Sequence, residues 1–533
     1  MRNVTIAATL LSLAAAPLAA MDSHVVGPRA LGMGGAGTAA VDDHTASYWN
    51  PGMYGFFSRT GEDGAKLAAD PNHVGRKDWG VGIVDASIHV DVRGELANLI
   101  EVASAVDLSN VATLGSGGED DLKAAMATLA MIEDFTPDRD TVSFAANVGV
   151  ANIRIGHFGI GLRIFAEGIA SLSDVDRLNV GIGTDSITSI AQEINNPSVS
   201  PSGWTSGHNA TLITGSAASN LDAAMLAAGV VDASARAEAI SKLDYAASQA
   251  GLSAEQMAQM TAVGGSLYDA ILASTDPSRS FENNTTAAFS AGYSVAEVPI
   301  SYGHAINDHL AVGGSLKLMV GKVAAAKVRL LDDNADVAEL LQDSLDDAKQ
   351  TVTAGVDLGV VLRNSWAQVG LTARNINSPV LEGGTYQDAD GRDFDVEDVT
   401  LEPQVSLGVA LYPFETLCLT ADLDLIECST VFETTTAGHM PDGVDRTLRV
   451  EYASQRLGGG VEWNAFRFLA LRAGASTDLA ETDAGTMLHA GVGVNLWAVR
   501  LDLAGAVSTD TVTVDGEDYP RAADVSLGLM VDF

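Results

Sequence analysis

Apolar residues occupy every second position of the segment 524–533. The apolar set consists of Val525, Leu527, Leu529, Val531 and Phe533. A period of two indicates a β-strand with one apolar face and one polar face. An edge strand of a soluble β-sandwich alternates in the same way, so the fold class depends on how many such segments the chain contains.

The same alternation recurs upstream in many segments. The clearest examples are residues 310–320, 356–363, 404–411, 417–425, 489–496 and 500–503. In a membrane barrel the apolar face of each strand meets lipid, and the other face meets a polar, water-filled interior. The charged residues expected on the interior face are Asp357, Arg363, Arg374, Asp422, Asp424 and Arg472. They form either a ladder of charges that fixes the strand register or a path for a substrate.

The connections between these segments alternate strictly between short and long from residue 307 onward. Short connections lie at 307–308, 364–365, 412–416, 464–465 and 497–498, and long polar ones at 331–350, 377–400, 427–446, 478–485 and 509–523. Such asymmetry is typical of an up-and-down barrel with periplasmic turns and extracellular loops. With the upstream strands, residues 79–533 predict an all-β, antiparallel transmembrane barrel of about 14 strands, and an even number places both termini in the periplasm.

The first 20 residues predict a secretory signal peptide, because Arg2 precedes an apolar stretch and a run of small residues. Acidic residues outnumber basic ones 69 to 30, for a net charge of -39. This balance argues against a nucleic-acid partner, since phosphate binding requires basic surfaces. After the signal there is no uncharged apolar run long enough for a transmembrane helix. An exported chain of this kind is periplasmic, extracellular or an outer-membrane barrel.

Two stretches, residues 95–135 and 220–274, are alanine-rich with helical spacing. Both fall where the alternation predicts extracellular loops of the barrel. They are interpreted either as mobile surface helices or as a lid over the barrel mouth, because long loops with their own secondary structure are often functional.

No motif of catalysis or of cofactor binding occurs in the chain. The serine nucleophile elbow, the zinc-protease His-Glu-x-x-His motif and the phosphate-binding loop are absent from the sequence, so neither an enzyme nor a cofactor is predicted. Residues 388–395 are rich in Asp but lack the spacing of a calcium loop, and a solvated turn is favoured over a weak divalent site, so no metal site is predicted. Cys418 and Cys428 are predicted to be free thiols, because an extended strand would hold them about 30 Å apart.

The segment 27–52 reads GPRALGMGGAGTAAVDDHTASYWNPG. Its glycine spacing matches a dinucleotide fingerprint, but no strand precedes it and no βαβ unit surrounds it, so nucleotide binding is rejected. The glycines instead allow the backbone to pass close to other backbone. The residues singled out here are Arg29, Gly32, Gly34, Gly35, Asp42, Asp43, Asn50 and Pro51.

This segment resembles the N-terminal segment of the FadL-like outer-membrane superfamily, which includes transporters of long-chain fatty acids and hydrocarbons. Further likenesses at residues 374–376, 422–425 and 471–474 point to the branch labelled as conjugal-transfer TraF outer-membrane proteins. The resemblance implies that residues 21–78 form a hatch that plugs the barrel from the periplasmic side. A departure from the family pattern is Gly52, where members usually have Ala after Asn-Pro.

Two functions follow from this resemblance. The first is passive uptake of a hydrophobic, fatty-acid-like small molecule through the outer membrane of a Gram-negative-type bacterium, with membrane lipid as the surrounding partner. The alternative is a non-transporting outer-membrane component of a conjugation or secretion apparatus, with proteins of that apparatus as partners. A soluble secreted β-sandwich remains the third interpretation of the alternation itself.

The topology predicts which segments an external protease reaches. Protease added to intact cells should cut the chain within 95–135 or 172–284, because these stretches are expected outside the cell. The turns at 307–308 and 364–365 should be spared until the cells are opened. Mapping the fragments by mass spectrometry checks this, and external cleavage at those turns would invert the predicted topology.

Overall fold

Fourteen strands pair into one closed antiparallel barrel in chain order, and β1 pairs with β22 to close it. The computed structural model describes residues 24–93, 141–173, 203–227, 231–249, 254, 286–329, 343–388, 391–436, 446–466, 468–481, 485–514 and 517–533. Strands and helices are numbered along the chain. The barrel strands are β1 (Trp79–Val92), β2 (Val142–Ile155), β3 (Phe158–Ser173), β4 (Ala287–Ala305), β5 (Leu310–Arg329), β6 (Gln350–Arg363), β7 (Ala367–Arg374), β12 (Gln404–Phe414), β13 (Leu417–Asp424), β16 (Arg456–Ala465), β17 (Leu469–Asp478), β18 (Thr486–Leu496), β19 (Val499–Ser508) and β22 (Ala522–Asp532). The predicted fold class is confirmed.

The period of two along each strand separates an outward apolar face from an inward polar face. On β22, Leu527 is 46% exposed, whereas its neighbour Ser526 is 1% exposed and its hydroxyl accepts a hydrogen bond from Ser87 of β1. The Phe533 ring stacks on the Trp79 ring with centroids 4.6 Å apart, where the first and last barrel strands meet. The alternation read from the sequence therefore identifies the two faces of the wall correctly.

The two ends of the barrel differ in the length of their connections. At one end, here called the turn end, β2 and β3 are joined by two residues, and β18 and β19 likewise. Trp79 and Phe533 also lie at the turn end, where their backbones exchange two hydrogen bonds. The opposite end, the loop end, receives the long connections between strands.

The remaining strands belong to the long connections at the loop end. A four-stranded sheet with the order β15-β14-β10-β9, here called the loop-end sheet, comes from two of these connections. The non-barrel strands are β8 (Val380–Leu381), β9 (Gly384–Gln387), β10 (Asp393–Val396), β11 (Val399–Thr400), β14 (Cys428–Thr436), β15 (Arg446–Ser454), β20 (Thr511–Val514) and β21 (Glu517–Pro520). Strand β8 pairs with β11, and β20 pairs with β21.

Short helices precede the barrel, and two longer ones lie between β3 and β4. They are α1 (Pro28–Gly32), α2 (Ala46–Trp49), α3 (Ser216–Ala227), α4 (Ala233–Gln249) and the 3-10 helices Pro51–Phe56 and Val74–Arg76. Helices α3 and α4 overlap the helical insertion predicted near 220–274, and the insertion predicted at 95–135 lies outside the described residues. In the part of the chain that the structure describes, no helix is both long enough and apolar enough to span a membrane.

The inside of the barrel is packed with protein, and the prediction of a water-filled interior is wrong. Residues 24–57, here called the N-terminal segment, are buried almost throughout. The loop-end sheet supplies further buried side chains, such as Phe394 and Phe432. One hydrophobic cluster includes residues from the N-terminal segment, the wall and the loop-end sheet. The inward polar face of the wall therefore meets polypeptide.

An arginine on the outer face of the closing strand tests the assignment of faces. Leu527→Arg should lower the yield of folded barrel in membranes, because arginine near the bilayer midplane costs about 2–4 kcal/mol. Leu527→Val is the matched control, since it keeps the position apolar. The measurement is the fraction of membrane protein that migrates differently before and after boiling. Equal fractions for the two variants would mean that this face does not meet lipid.

Candidate functional site: the filled barrel interior

The N-terminal segment folds back on itself through buried polar side chains. Trp49 donates a hydrogen bond from Nε1 to the Val26 carbonyl at 2.9 Å, and Tyr48 donates from its hydroxyl to the His24 carbonyl at 2.9 Å. Helix α2 ends at Trp49, the backbone of the next residue, Asn50, is extended, and Pro51 then begins a 3-10 helix. Proline is suited to a first helical position because it has no N–H to satisfy.

Asn50 joins this segment to the wall. Its amide donates to the carbonyl of Val360 at 3.2 Å, and its Oδ1 accepts from the Gly52 N–H at 3.0 Å. The residue is fully buried, so each of these bonds satisfies a group that would otherwise be costly to bury. Asn50 is therefore both the cap of the 3-10 helix and a contact to β6.

Glycines on the inner face of the wall let the segment lie directly against the strands. A Cβ placed on Gly370 would lie 2.5 Å from the Thr38 carbonyl oxygen, and one on Gly408 would lie 2.8 Å from the Ala39 nitrogen. On the segment, Gly34 has a φ of 73°, and a Cβ added to it would lie 2.5 Å from the Gly459 carbonyl oxygen, so no side chain fits there. The wall glycines at which an added Cβ would lie less than 3.0 Å from backbone atoms of the segment are Gly303, Gly313, Gly359, Gly370, Gly408, Gly458, Gly460 and Gly474.

Arg29 lies at the centre of a buried ionic network. Its guanidinium donates to both carboxylate oxygens of Glu462, each at 2.9 Å, and Glu462 also accepts from Arg472 at 2.7 Å. Arg472 continues the network to Asp502 at 2.6 Å. Removing one member would leave a buried charge unpaired, at a cost of about 3–5 kcal/mol. The network therefore fixes α1 against β16, β17 and β19.

Asp42 and Asp43 extend this network toward the turn end. Arg500 donates to Asp43 at 2.9 Å, and Lys77 bridges Asp42 at 3.2 Å and Asp532 at 3.0 Å. Burial raises the pKa of the Asp43 carboxyl, but the Arg500 guanidinium, His44 and a hydrogen bond from Thr45 together outweigh burial and hold that pKa below its usual value. Asp43 is thus ionised near neutral pH, as its ion pair requires.

Three of the charged residues predicted on the inner face contact the segment or the loop that follows it. The carboxylate of Asp422 accepts the backbone N–H groups of Gly37 and Thr38 at 2.9 and 2.7 Å. The Arg374 guanidinium lies 4.0 Å from the centre of the Tyr48 ring. Arg363 pairs with Asp70 at 3.0 Å and lies over the Phe56 ring at 3.6 Å. With Arg472, four of the six predicted residues hold this N-terminal region.

The other two predicted residues serve the wall itself. Asp357 pairs with Lys317 at 3.0 Å and accepts the backbone N–H of Asn375 at 2.9 Å. Asp424 accepts the Ser406 hydroxyl at 2.6 Å. These contacts join neighbouring strands of the barrel, which fits the interpretation as a register-fixing ladder.

Sequence reasoning did not single out the ionic partners and the glycines that complete this interior. Arg500 and Asp502 lie in the segment 500–503, whose alternation was recognised, but Glu462 lies outside the recognised segments. Glu462 and Arg500 pair with Arg29 and Asp43, which are more than 400 positions away in the sequence. The inward glycines share the phase of the polar positions, as Gly370 and Gly408 do. Glycine repeatedly occupying inward positions of neighbouring strands was a signal for close backbone packing, and it was available in the sequence.

The loop-end half of the interior is apolar and aromatic. Phe394 of the loop-end sheet packs edge-on against Phe289 of β4 with ring centroids 6.3 Å apart, and Phe432 packs against Tyr293 at 6.4 Å. This apolar region is here called the upper interior. Its other buried members include Phe165, Ile169, Val295, Val323, Tyr386, Val396, Val450 and Tyr452. In the described residues a β-sheet thus covers the barrel mouth from within, and the interpretation of the helical stretches 95–135 and 220–274 as a lid stays a prediction.

Arg93 fastens the loop-end sheet to the first strands of the barrel. Its guanidinium lies 3.6 Å from the centre of the Tyr452 ring and donates to the Ala453 carbonyl at 2.7 Å. The same guanidinium donates to Asp91 at 2.8 Å and to Asp478 at 3.2 Å. One cation thus links β15 to the wall at several points.

Neither a metal centre nor a disulfide is found in the described chain. No group of three or more metal-ligating side chains occurs in the described residues. Cys418 and Cys428 are both buried and form no disulfide bond. In the acid-rich stretch 388–395, Asp388 Oδ1 accepts the backbone N–H of Arg392 at 2.8 Å, which is the geometry of an ordinary turn.

The family model that describes the F plasmid transfer operon TraF protein matches residues 166–424. A search of curated proteins found no match. Among solved structures, the toluene transporter TbuX of Ralstonia pickettii is 13% identical with a TM-score of 0.42, and the comparison covers 95% of this chain and 98% of that one. A FadL homologue of Pseudomonas aeruginosa is 9% identical with a TM-score of 0.41, covering 97% of this chain and 99% of that one. The Pseudomonas putida toluene transporter TodX is 11% identical with a TM-score of 0.39, covering 97% and 98%.

Adding one methyl group to an inward glycine tests how closely the segment is held. In Gly370→Ala the three atoms nearest the new Cβ would belong to Thr38 and Asn50, the closest at 2.5 Å, so the segment must shift. We expect a loss of about 1–3 kcal/mol in the free energy of unfolding, as for other overpacked interiors, with raised leakage of small solutes in liposome-swelling assays.

Gly505→Ala is the matched control, because its new Cβ would lie 3.3 Å from the Asp524 carbonyl oxygen and away from the segment. If both variants leak and unfold alike, the segment is not held by contact with the wall glycines.

Proposed function

We propose that this protein is an outer-membrane barrel for passive uptake of a hydrophobic small molecule. The observation that carries the proposal is the apolar upper interior. The interior of a membrane barrel is ordinarily polar. Here aromatic residues such as Phe165, Phe289 and Tyr293 line the interior. A water-filled channel does not require aromatic side chains at these positions.

The outer surface supports a location in the outer membrane. Apolar side chains on the outward faces are exposed, and aromatic residues surround the turn end, where an interfacial girdle would lie. These exposed aromatic residues are Trp79, Phe158, Tyr302, Trp366, Phe414, Phe466, Phe468, Trp497 and Phe533. On this proposal the turn end and both termini face the periplasm.

The N-terminal segment acts as the plug in this proposal. It lies against inward glycines and is pinned by Arg29, Asp42 and Asp43. A segment held at so many points blocks free diffusion of water-soluble compounds. Uptake of an apolar ligand would then depend on the upper interior, where Phe394 and Phe432 of the loop-end sheet now occupy the space.

The second candidate is a non-transporting component of a conjugation apparatus. The match of residues 166–424 to the family model of the F plasmid transfer operon TraF protein favours it. The firmly held plug is equally compatible with a barrel that conducts nothing. In that case the acidic loops would present the surface on which other proteins of the apparatus dock.

Uptake of radiolabelled hexadecane or toluene by cells separates these candidates. Cells with the parent protein should accumulate label faster than cells without it, and Phe289→Asn should lower the rate because it places an amide in the upper interior. Glu433→Gln, on a partly exposed position of the loop-end sheet, is the control and should match the parent. Heat-modifiable mobility verifies that each variant is folded.

If parent cells and cells without the protein accumulate both hydrocarbons equally, uptake is the wrong function. The conjugation role then becomes the leading candidate. Its own measurement is the frequency of plasmid transfer from donor cells with and without the gene.

A further inference from the structure

A second kind of site lies beside the upper interior. A cavity of about 70 Å³ lies between Val25 of the N-terminal segment, Tyr452 of the loop-end sheet and inward residues of β1, β17, β18 and β22. A water molecule needs about 10–15 Å³ of such volume, so this cavity has room for several waters or for a small polar group. Its lining includes charged side chains, in contrast to the aromatic region next to it.

Three ion pairs contribute to this lining. Arg93 bonds Asp91 at 2.8 Å and Asp478 at 3.2 Å, and His89 bonds Asp524 at 2.6 Å. These bonds use only one oxygen of Asp91. Its Oδ1 atom is buried and has no hydrogen-bond partner among the described residues, although the whole residue is only 4% exposed. An unpartnered buried carboxylate oxygen requires a hydrogen-bond donor, from water or from a ligand.

The charged residues of the lining restrict which hydrogen-bond donor a ligand can place in the cavity. The lining carries three carboxylates, those of Asp91, Asp478 and Asp524, against the two guanidinium groups of Arg93 and Arg456. Asp524 is paired with His89 and Asp478 with Arg93, so Asp91 is the carboxylate of this lining with an unsatisfied buried oxygen. A carboxylate ligand would place its own anionic oxygens against that atom and be repelled, whereas an uncharged hydroxyl can donate to Asp91 and accept from a neighbouring donor.

The cavity adjoins the upper interior directly. The Tyr452 ring lines the cavity and is also a member of the hydrophobic cluster, and Val25 packs against that cluster while lining the cavity. A cavity with polar groups beside an apolar region suits an amphiphile. Its polar head would lie in the cavity and its apolar tail in the upper interior.

We infer that this cavity binds the uncharged, hydrogen-bond-donating head group of an amphiphile, such as a primary alcohol, whose alkyl tail lies in the upper interior. The inference rests on the proposed uptake function and names its ligand class. The hydroxyl donates to Asp91 Oδ1 in place of a water molecule. The alkyl tail displaces side chains of the loop-end sheet from the wall.

Fluorine NMR with the full-length protein in amphipol tests the assignment. The probes are octanol, octanoate and octane, each fluorinated at one end, and their affinities come from line broadening on titration. Octanol should bind the parent about tenfold more tightly than octanoate, the scale of one hydrogen bond to a charged group. Asp91→Asn should weaken octanol binding by a similar factor and improve binding of octanoate, so that the preference narrows or reverses.

Ala522→Leu is a second variant, since it fills the cavity without changing charge, and it should weaken octanol more than the hydrocarbon probe. Glu451→Gln is the control, because Glu451 neighbours Tyr452 on β15 but pairs with Arg449 outside the cavity. Its affinities should equal those of the parent.

Three outcomes of this experiment would contradict the inference. If octanoate binds the parent as tightly as octanol, the head-group assignment is wrong. If the hydrocarbon probe binds as well as octanol and the variants change nothing, the cavity is not a head-group site while the proposed uptake of hydrophobic molecules stands. If no probe binds the parent, both the inference and the proposed function fail.

Discussion

The close approach of the N-terminal segment to the barrel wall is the contact on which the interior depends. Backbone lies against backbone because both partners have glycine at the contact, as at Gly34 and Gly459. No Cβ could be added to Gly34 without collision. This fit leaves no room for a water layer there, so the polar face of the wall must be satisfied by the segment itself.

That requirement explains the number of buried charges. In a water-filled barrel, the carboxylate of Asp422 would be solvated, but here it accepts two backbone N–H groups of the segment. Arg29 likewise needs Glu462, because a buried guanidinium without an acceptor is costly. Ion pairs and side-chain-to-backbone bonds thus take the place of water across the turn-end half of the interior.

The loop-end half follows a different chemistry. Phe289 and Tyr293 face the interior from β4, where the loop-end sheet covers them with Phe394 and Phe432. Arg93 then fixes the edge of that sheet to the wall through Tyr452, Asp91 and Asp478. The barrel therefore contains a polar half that holds the N-terminal segment and an apolar half closed by a sheet formed from two long connections.

The sequence by itself determined the strands, their inward and outward faces, their antiparallel order and an approximate strand number, because these depend on a local period of two and on the lengths of connections. It also predicts inward positions for Asp422, Arg374, Arg363 and Arg472, and these residues are buried in the structure. Only the tertiary structure decided what those side chains contact, because Glu462 is 433 positions from Arg29 and no local pattern encodes such a pairing. The same holds for the loop-end sheet, whose strands come from two separate connections and gain their partners only when the closed wall brings those connections to one end.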